Sequence, residues 1–171
     1  MPSPLPRQPA PDLDVALAGG GNFRLTDQQP RHFTLVVFYR GLHCPICRTY
    51  LAQLDRAVQE LEGLGVNVVA VSGDSEDNAQ RSVDEWKLSH LAVGYGLTVD
   101  SMRQWGLYVS KGVKDPEPEL FGEPGIYLIR PDHSVYMAAL NSMPAAQPRI
   151  DDLVAAIKFF IDNDYPARGE A

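Results

Sequence analysis

A chain of 171 residues with 44% hydrophobic and 22% charged residues is long enough to bury a core without staples and has an ordinary globular composition. Its net charge of −7 argues against nucleic acid as a partner, which would need a basic footprint, and no apolar run approaches the ~18 residues of a membrane span. Its two cysteines stand too close together for a disulfide framework and the N-terminus has no apolar signal core, so the chain reads as cytoplasmic, with cysteines kept for reactivity.

In chain order, residues 1–11 form a proline-rich lead-in, mobile or lying over the surface, residues 12–165 a single domain, and residues 166–171 a tail. Gly19-Gly20-Gly21-Asn22 lies between short apolar segments and predicts a small hairpin across residues 14–26. Residues 33–39 are nearly all β-branched or aromatic, the pattern of a strand covered on both faces. Ile46, Tyr50, Leu51, Leu54, Val58 and Leu61 then recur at helical spacing, predicting a helix over 45–62. Gly63 and Gly65 break it before a strand at 66–71, completing a βαβ crossover in a parallel sheet.

Ser72-Gly73-Asp74-Ser75 offers N-cap residues for a helix over 76–88, with Ala79, Val83 and Trp86 on its apolar face. A weaker strand at 91–95 and a short helix at 101–105, stopped by Gly106, follow. Residues 111–122, with Pro116 and Pro118, read as a loop. Strands at 126–129 and 135–139 flank Arg130-Pro131-Asp132-His133 as a hairpin, and a helix over 148–162 closes the chain with Ile150, Leu153, Val154, Ile157, Phe160 and Ile161 on one face. Trp86 and Trp105 are core aromatics.

The chemistry lies where the first core strand meets the first long helix. Cys44 and Cys47 fall in its first turn, where unpaired backbone N–H groups and the positive end of the helix dipole favour an anion. A free thiol has a pKa of roughly 8.5, and in a Cys-x-x-Cys at a helix start it falls to roughly 3.5–7.5. Residues three apart on a helix come within disulfide reach after a small adjustment, so the pair can cycle between dithiol and disulfide. No second Cys/His cluster stands at metal spacing, and no metal is expected.

A Cys-x-x-Cys after a buried strand, a βαβ unit and a later proline opening a β-hairpin together resemble the thioredoxin superfamily. Within it, the chain is similar to the peroxiredoxin-like proteins of the alkyl hydroperoxide reductase and thiol-specific antioxidant type over residues 12–162. The most specific segment is Phe38-Tyr39-Arg40-Gly41-Leu42-His43-Cys44-Pro45-Ile46-Cys47. The resemblance implies an α/β thioredoxin-like fold: a central mixed β-sheet flanked by helices, with an N-terminal β-hairpin extension. It also implies peroxide reduction through a reactive cysteine, no cofactor, an external dithiol reductant such as a thioredoxin, and a homodimer.

Two family patterns overlap on these residues. On the peroxiredoxin pattern Cys47 matches the peroxidatic cysteine, Cys44 stands in the place of a threonine, Arg40 in that of a proline, and Pro124 falls near the place of the catalytic arginine. On the thioredoxin pattern Cys44 attacks, Cys47 resolves, and Pro124 matches the proline that is usually cis in that family and lies against the disulfide. The favoured cycle has Cys47 attack the peroxide and Cys44 condense with the resulting sulfenic acid, after which an external dithiol restores the pair.

Arg40 supplies a permanent cation to this cycle, His43 a group titrating near neutral pH, and Pro45 the start of the helix. The resemblance also brings Met143-Pro144 toward the site. Two rival readings stand beside the peroxidase: a general protein disulfide reductase acting through the same pair, and a redox sensor oxidised stoichiometrically without turnover.

Overall fold

The computed structural model describes residues 3–171, so the first two residues of the lead-in lie outside it. The apolar run forms β3 (Phe33–Phe38), buried at every position because it is covered on both faces. It leads through a short loop into α1 (Pro45–Gly63), and β4 (Val66–Val71) returns parallel to β3. Beyond β4 come α2 (Glu76–Glu85) and β5 (Ala92–Tyr95), the latter parallel to β4. On the other side of β3, β8 (Gly125–Ile129) and β9 (Val135–Leu140) add antiparallel strands.

The N-terminal hairpin, β1 (Asp14–Leu17) and β2 (Asn22–Arg24), joins this sheet through antiparallel pairing of β1 with β5. The result is a seven-stranded mixed sheet in the order β2-β1-β5-β4-β3-β8-β9. This is the thioredoxin-like α/β architecture with its hairpin extension.

The alternation of side chains along β3 divides the core into two layers. Phe33, Leu35 and Val37 pack with Leu51, Leu54 and Val58 of α1, Ala79 of α2, and Ile150, Leu153 and Ile157 of α4 (Ile150–Asp162). Val36 and Phe38 point the other way, toward Leu25, Met102, Trp105 and Tyr127. Trp105 is fully buried there, 5.2 Å from Phe38 and 4.9 Å from Tyr127 between ring centroids, and Tyr127 donates its hydroxyl hydrogen to the Trp105 carbonyl. Trp86 is buried in the opposite layer, edge-on to Tyr39.

Several boundaries differ from the sequence reading, each for a local reason. α2 stops at Glu85 rather than 88, because Lys87 takes a positive φ of 56° that no helix continues. α3 (Val99–Gln104) begins before 101, because the Thr98 side chain accepts the Ser101 N–H at 3.1 Å and caps it. α4 begins at Ile150 rather than 148, with Arg149 in extended conformation ahead of it.

The largest correction concerns residues 111–122. Their ends belong to β6 (Val109–Lys111) and β7 (Leu120–Gly122), which pair antiparallel as a separate two-stranded sheet around the proline-containing segment. The lead-in is also tied down: Arg7 N–H donates to the Val135 carbonyl at 2.7 Å, Val135 N–H to the Gln8 carbonyl at 2.9 Å, and Pro9 bridges Ser134. Among the described residues no helix is long and apolar enough to cross a membrane.

Candidate active site

β3 ends by handing the chain to Arg40, Gly41, Leu42 and His43, which turn it into the first turn of α1. Gly41 is required at this bend. Its φ is 137°, and a Cβ would stand 2.5 Å from Oδ1 of Asp74. Asp74, three residues past the end of β4, is buried and accepts the Leu42 N–H at 2.9 Å, so one carboxylate fixes the loop that carries the cysteines. Burial pushes the Asp74 pKa up, against the pull of that hydrogen bond.

Cys44 is the N-cap of α1, in extended conformation, and its sulfur accepts the Cys47 N–H at 3.2 Å. Pro45 takes the first helical position, where an N–H would have had no partner in the helix. Cys44 is 2% exposed and Cys47 fully buried, and both are free thiols. Cys44 nevertheless lines a cavity of about 400 Å³, walled by Leu42, His43, Trp86, Pro116 and Pro118, whereas Cys47 does not reach it. A larger cleft of about 480 Å³, between α1 and the start of α4, touches neither cysteine.

The two thiols share one proton unequally. The neighbouring Cys47 side chain, the backbone N–H groups of Cys47 and Ile46 and the charge of Arg40 together outweigh burial and bring Cys44 down to about 7. The same pairing of side chains pushes Cys47 up, and burial adds to the effect. The helix start therefore stabilises an anion on the sulfur at its cap.

Arg40 reaches across to a carboxylate that the sequence reading did not single out. Its Nε and Nη2 donate to Oε2 and Oε1 of Glu123 at 2.7 and 2.8 Å, in a two-pronged pair with Glu123 2% exposed. Ser110 donates its hydroxyl hydrogen to Oε1 of Glu123 at 2.6 Å. The guanidinium lies 5.3 Å from the ring centre of Phe121 and its Nη2 is 3.9 Å from the Met143 sulfur. His43 meets the same Phe121 ring edge-on at 4.9 Å, and burial lowers its pKa.

Arg40, His43, Cys44, Pro45 and Cys47 thus belong to one neighbourhood, and Met143 joins it through Arg40. Pro124 is buried between Glu123 and β8, and its carbonyl accepts the Asn141 N–H at 3.0 Å. The cis bond expected before it is not there: among the described residues the cis peptide is Asp115–Pro116, and Glu123–Pro124 is trans.

The AhpC/TSA family model matches residues 6–138, more than three quarters of the chain. The chain belongs to the AhpC/TSA family. Solved structures with the AhpC/TSA member's fold include the peroxiredoxin-like protein of Aquifex aeolicus, with a TM-score of 0.76 at 17% identity over 93% of this chain and 89% of that one. They also include peroxidoxin BcpB of Mycobacterium tuberculosis, with 0.73 at 14% identity over 91% and 97% of the two chains. The bacterioferritin comigratory protein of Xanthomonas campestris gives 0.70 at 19% over 87% and 92%. At these identities the likeness carries the fold. Among curated proteins none matches.

Proposed function

We propose that this AhpC/TSA protein is a thiol peroxidase that reduces peroxides through a dithiol/disulfide cycle of Cys44 and Cys47, with Cys44 as the attacking sulfur. The observation that carries the order is the placing of Cys44: it caps α1, accepts the Cys47 N–H, and alone of the two lines the cavity. This reverses the order implied by matching Cys47 to the peroxidatic position, because a cysteine in place of the threonine occupies the anion-stabilising end of the helix.

In the cycle, the Cys44 thiolate attacks one peroxide oxygen, the O–O bond breaks, and the leaving alkoxide or hydroxide takes a proton. Cys44 is left as sulfenic acid. The Cys47 sulfur then attacks the Cys44 sulfur, the S–O bond breaks, water leaves, and the disulfide forms. An external dithiol of thioredoxin type restores both thiols by two exchanges and is itself oxidised to a disulfide.

Arg40 is the cation fixed beside the cysteine loop by its pair with Glu123, and Arg48 and Arg81 line the Cys44 cavity. His43, its pKa lowered by burial, stays neutral at physiological pH. Free thiols with these roles fit the reducing cytoplasm, and a homodimer belongs to the same family-level reading.

One observation also favours a second reading, a protein disulfide reductase: an attacking Cys44 with a shielded Cys47 is the thioredoxin order. Rapid mixing of the reduced protein with hydrogen peroxide separates the two. The peroxidase reading expects fast oxidation in wild type and in Cys47→Ser, stopping at sulfenic acid in the variant, and its loss in Cys44→Ser. Fast oxidation of Cys44→Ser would return the attack to Cys47. Oxidation no faster than that of a free thiol, with rapid Cys44-dependent reduction of a protein disulfide, would leave the reductase.

A further inference from the structure

We propose that Glu123 is a positioning residue for Arg40: its buried carboxylate fixes the guanidinium in one orientation, and this hold keeps the positive charge beside the Cys44 sulfur. The inference rests on the reading of Cys44 as the attacking thiol.

An arginine in a loop is ordinarily free to swing, and its long side chain has much rotamer freedom to lose. Arg40 has lost it. Two of its donors are taken in parallel by Glu123, Phe121 lies against the guanidinium, and Met143 sits beside it. Glu123 is fixed in turn, by the Ser110 hydroxyl and by its own N–H on the Tyr108 carbonyl at 2.7 Å.

A carboxylate this buried is costly unless paired, and its side-chain partners here are Arg40 and Ser110. Ser110 lies in β6, Phe121 in β7, and Glu123 directly after it, so the small hairpin serves as a clamp on one side chain. Phe121 meets the Arg40 guanidinium and also the ring of His43, the residue before Cys44, so the clamp holds the cation at the cysteine loop.

Two roles for Glu123 predict opposite signs. If the carboxylate merely adds negative charge near the pair, removing it leaves Arg40 stronger and Cys44 more acidic. If it anchors Arg40, removing it lets the cation swing away from the sulfur, and Cys44 becomes less acidic. Arg48, His43, Asp74, and Arg81 and Glu85 of α2 share the Cys44 cavity and are unaltered in either case.

The test uses the full reduced chain carrying Cys47→Ser, so that one thiol titrates. Thiolate absorbance at 240 nm and alkylation by iodoacetamide are followed against pH. Glu123→Gln is expected to raise the Cys44 pKa by about one pH unit. Arg40→Gln is expected to raise it at least as far, and the double variant to match Arg40→Gln alone, since Glu123 acts only through Arg40.

An unchanged or lowered pKa in Glu123→Gln, or additive effects in the double variant, would overturn the proposal. Ser110→Ala, which leaves the ion pair in place, is expected to give a smaller rise. Should Glu123→Gln fail to fold, an unmoved Ser110→Ala titration overturns the role. The readout uses no peroxide: a parent thiol titrating at or above the roughly 8.5 of free cysteine would overturn the Cys44 assignment and the proposal together, whereas a parent below that value with an unmoved Glu123→Gln overturns Glu123 alone.

Discussion

Replacing Cys47 by alanine deletes the thiol that pairs with Cys44, the largest cause of the Cys44 thiol's lowered pKa of about 7. A hydrogen bond to a charged group contributes about 1.5–3 kcal/mol, equivalent to about one to two pH units at about 1.4 kcal/mol each. The Cys47 N–H at 3.2 Å and the Arg40 charge survive the substitution and keep the change toward the lower end. A rise of about 1.3 units leaves about 5% thiolate at neutral pH in place of about half, a roughly tenfold loss.

The assay is the pH dependence of iodoacetamide alkylation, with mass spectrometry to show that Cys44 carries the label. Cys47→Ser, whose hydroxyl still donates, should fall between wild type and Cys47→Ala. A Cys47→Ala profile superimposable on wild type would refute the shared-proton reasoning. So would a neutral-pH thiolate that persists in Cys44→Ser.

The same thiol pair gives stability a pH dependence with a definite sign. Cys44 has a folded pKa below its unfolded value, so its contribution is fully present above about 8.5 and is lost as pH falls through about 7; urea unfolding of the reduced protein should therefore show stability rising across that window. Cys47, with its pKa raised, turns the slope down at higher pH, and Cys44→Ser should flatten the rise; a wild-type profile already flat between pH 7 and 8.5 would count against it. Gly41→Ala combines a φ of 137° with a Cβ 2.5 Å from Asp74 Oδ1 and should cost about 1–3 kcal/mol in chemical denaturation, an expectation that wild-type stability would sink.

The β3-α1-β4 unit was legible because its signals agree: a continuous apolar run, an apolar stripe at helical spacing, cysteine and proline at the helix start, and glycines at its end. The two-layer core followed from the same alternation. The order of strands in the sheet was not legible, since β1 reaches β5 across nearly half of the chain and no local pattern records that pairing. β6 and β7 escaped because three-residue strands are too short to show alternation, and Pro116 and Pro118 between them argue for a loop.

The cysteines, Arg40 and His43 stood out by type and spacing. Glu123 and Asp74 did not, because a carboxylate's burial depends on tertiary partners. The available hint for Glu123 was its place between Phe121 and Pro124, in a stretch otherwise apolar through Ile129. The assignment of attack to Cys47 came from matching positions, whereas the helix cap favours whichever sulfur stands at the cap.

The near-complete enclosure of the cysteine pair would separate the two halves of the proposed cycle in time. A small peroxide can meet the Cys44 sulfur through the cavity with the fold intact, but a sulfur of a second protein cannot reach a sulfur that solvent barely touches. On the proposed cycle, a protein-sized dithiol would reach the pair only with the first turn of α1 opened, and recycling would then carry the free energy of that local opening while peroxide attack would not. Strengthening the loop that Asp74 holds would slow regeneration and leave the oxidation step unchanged.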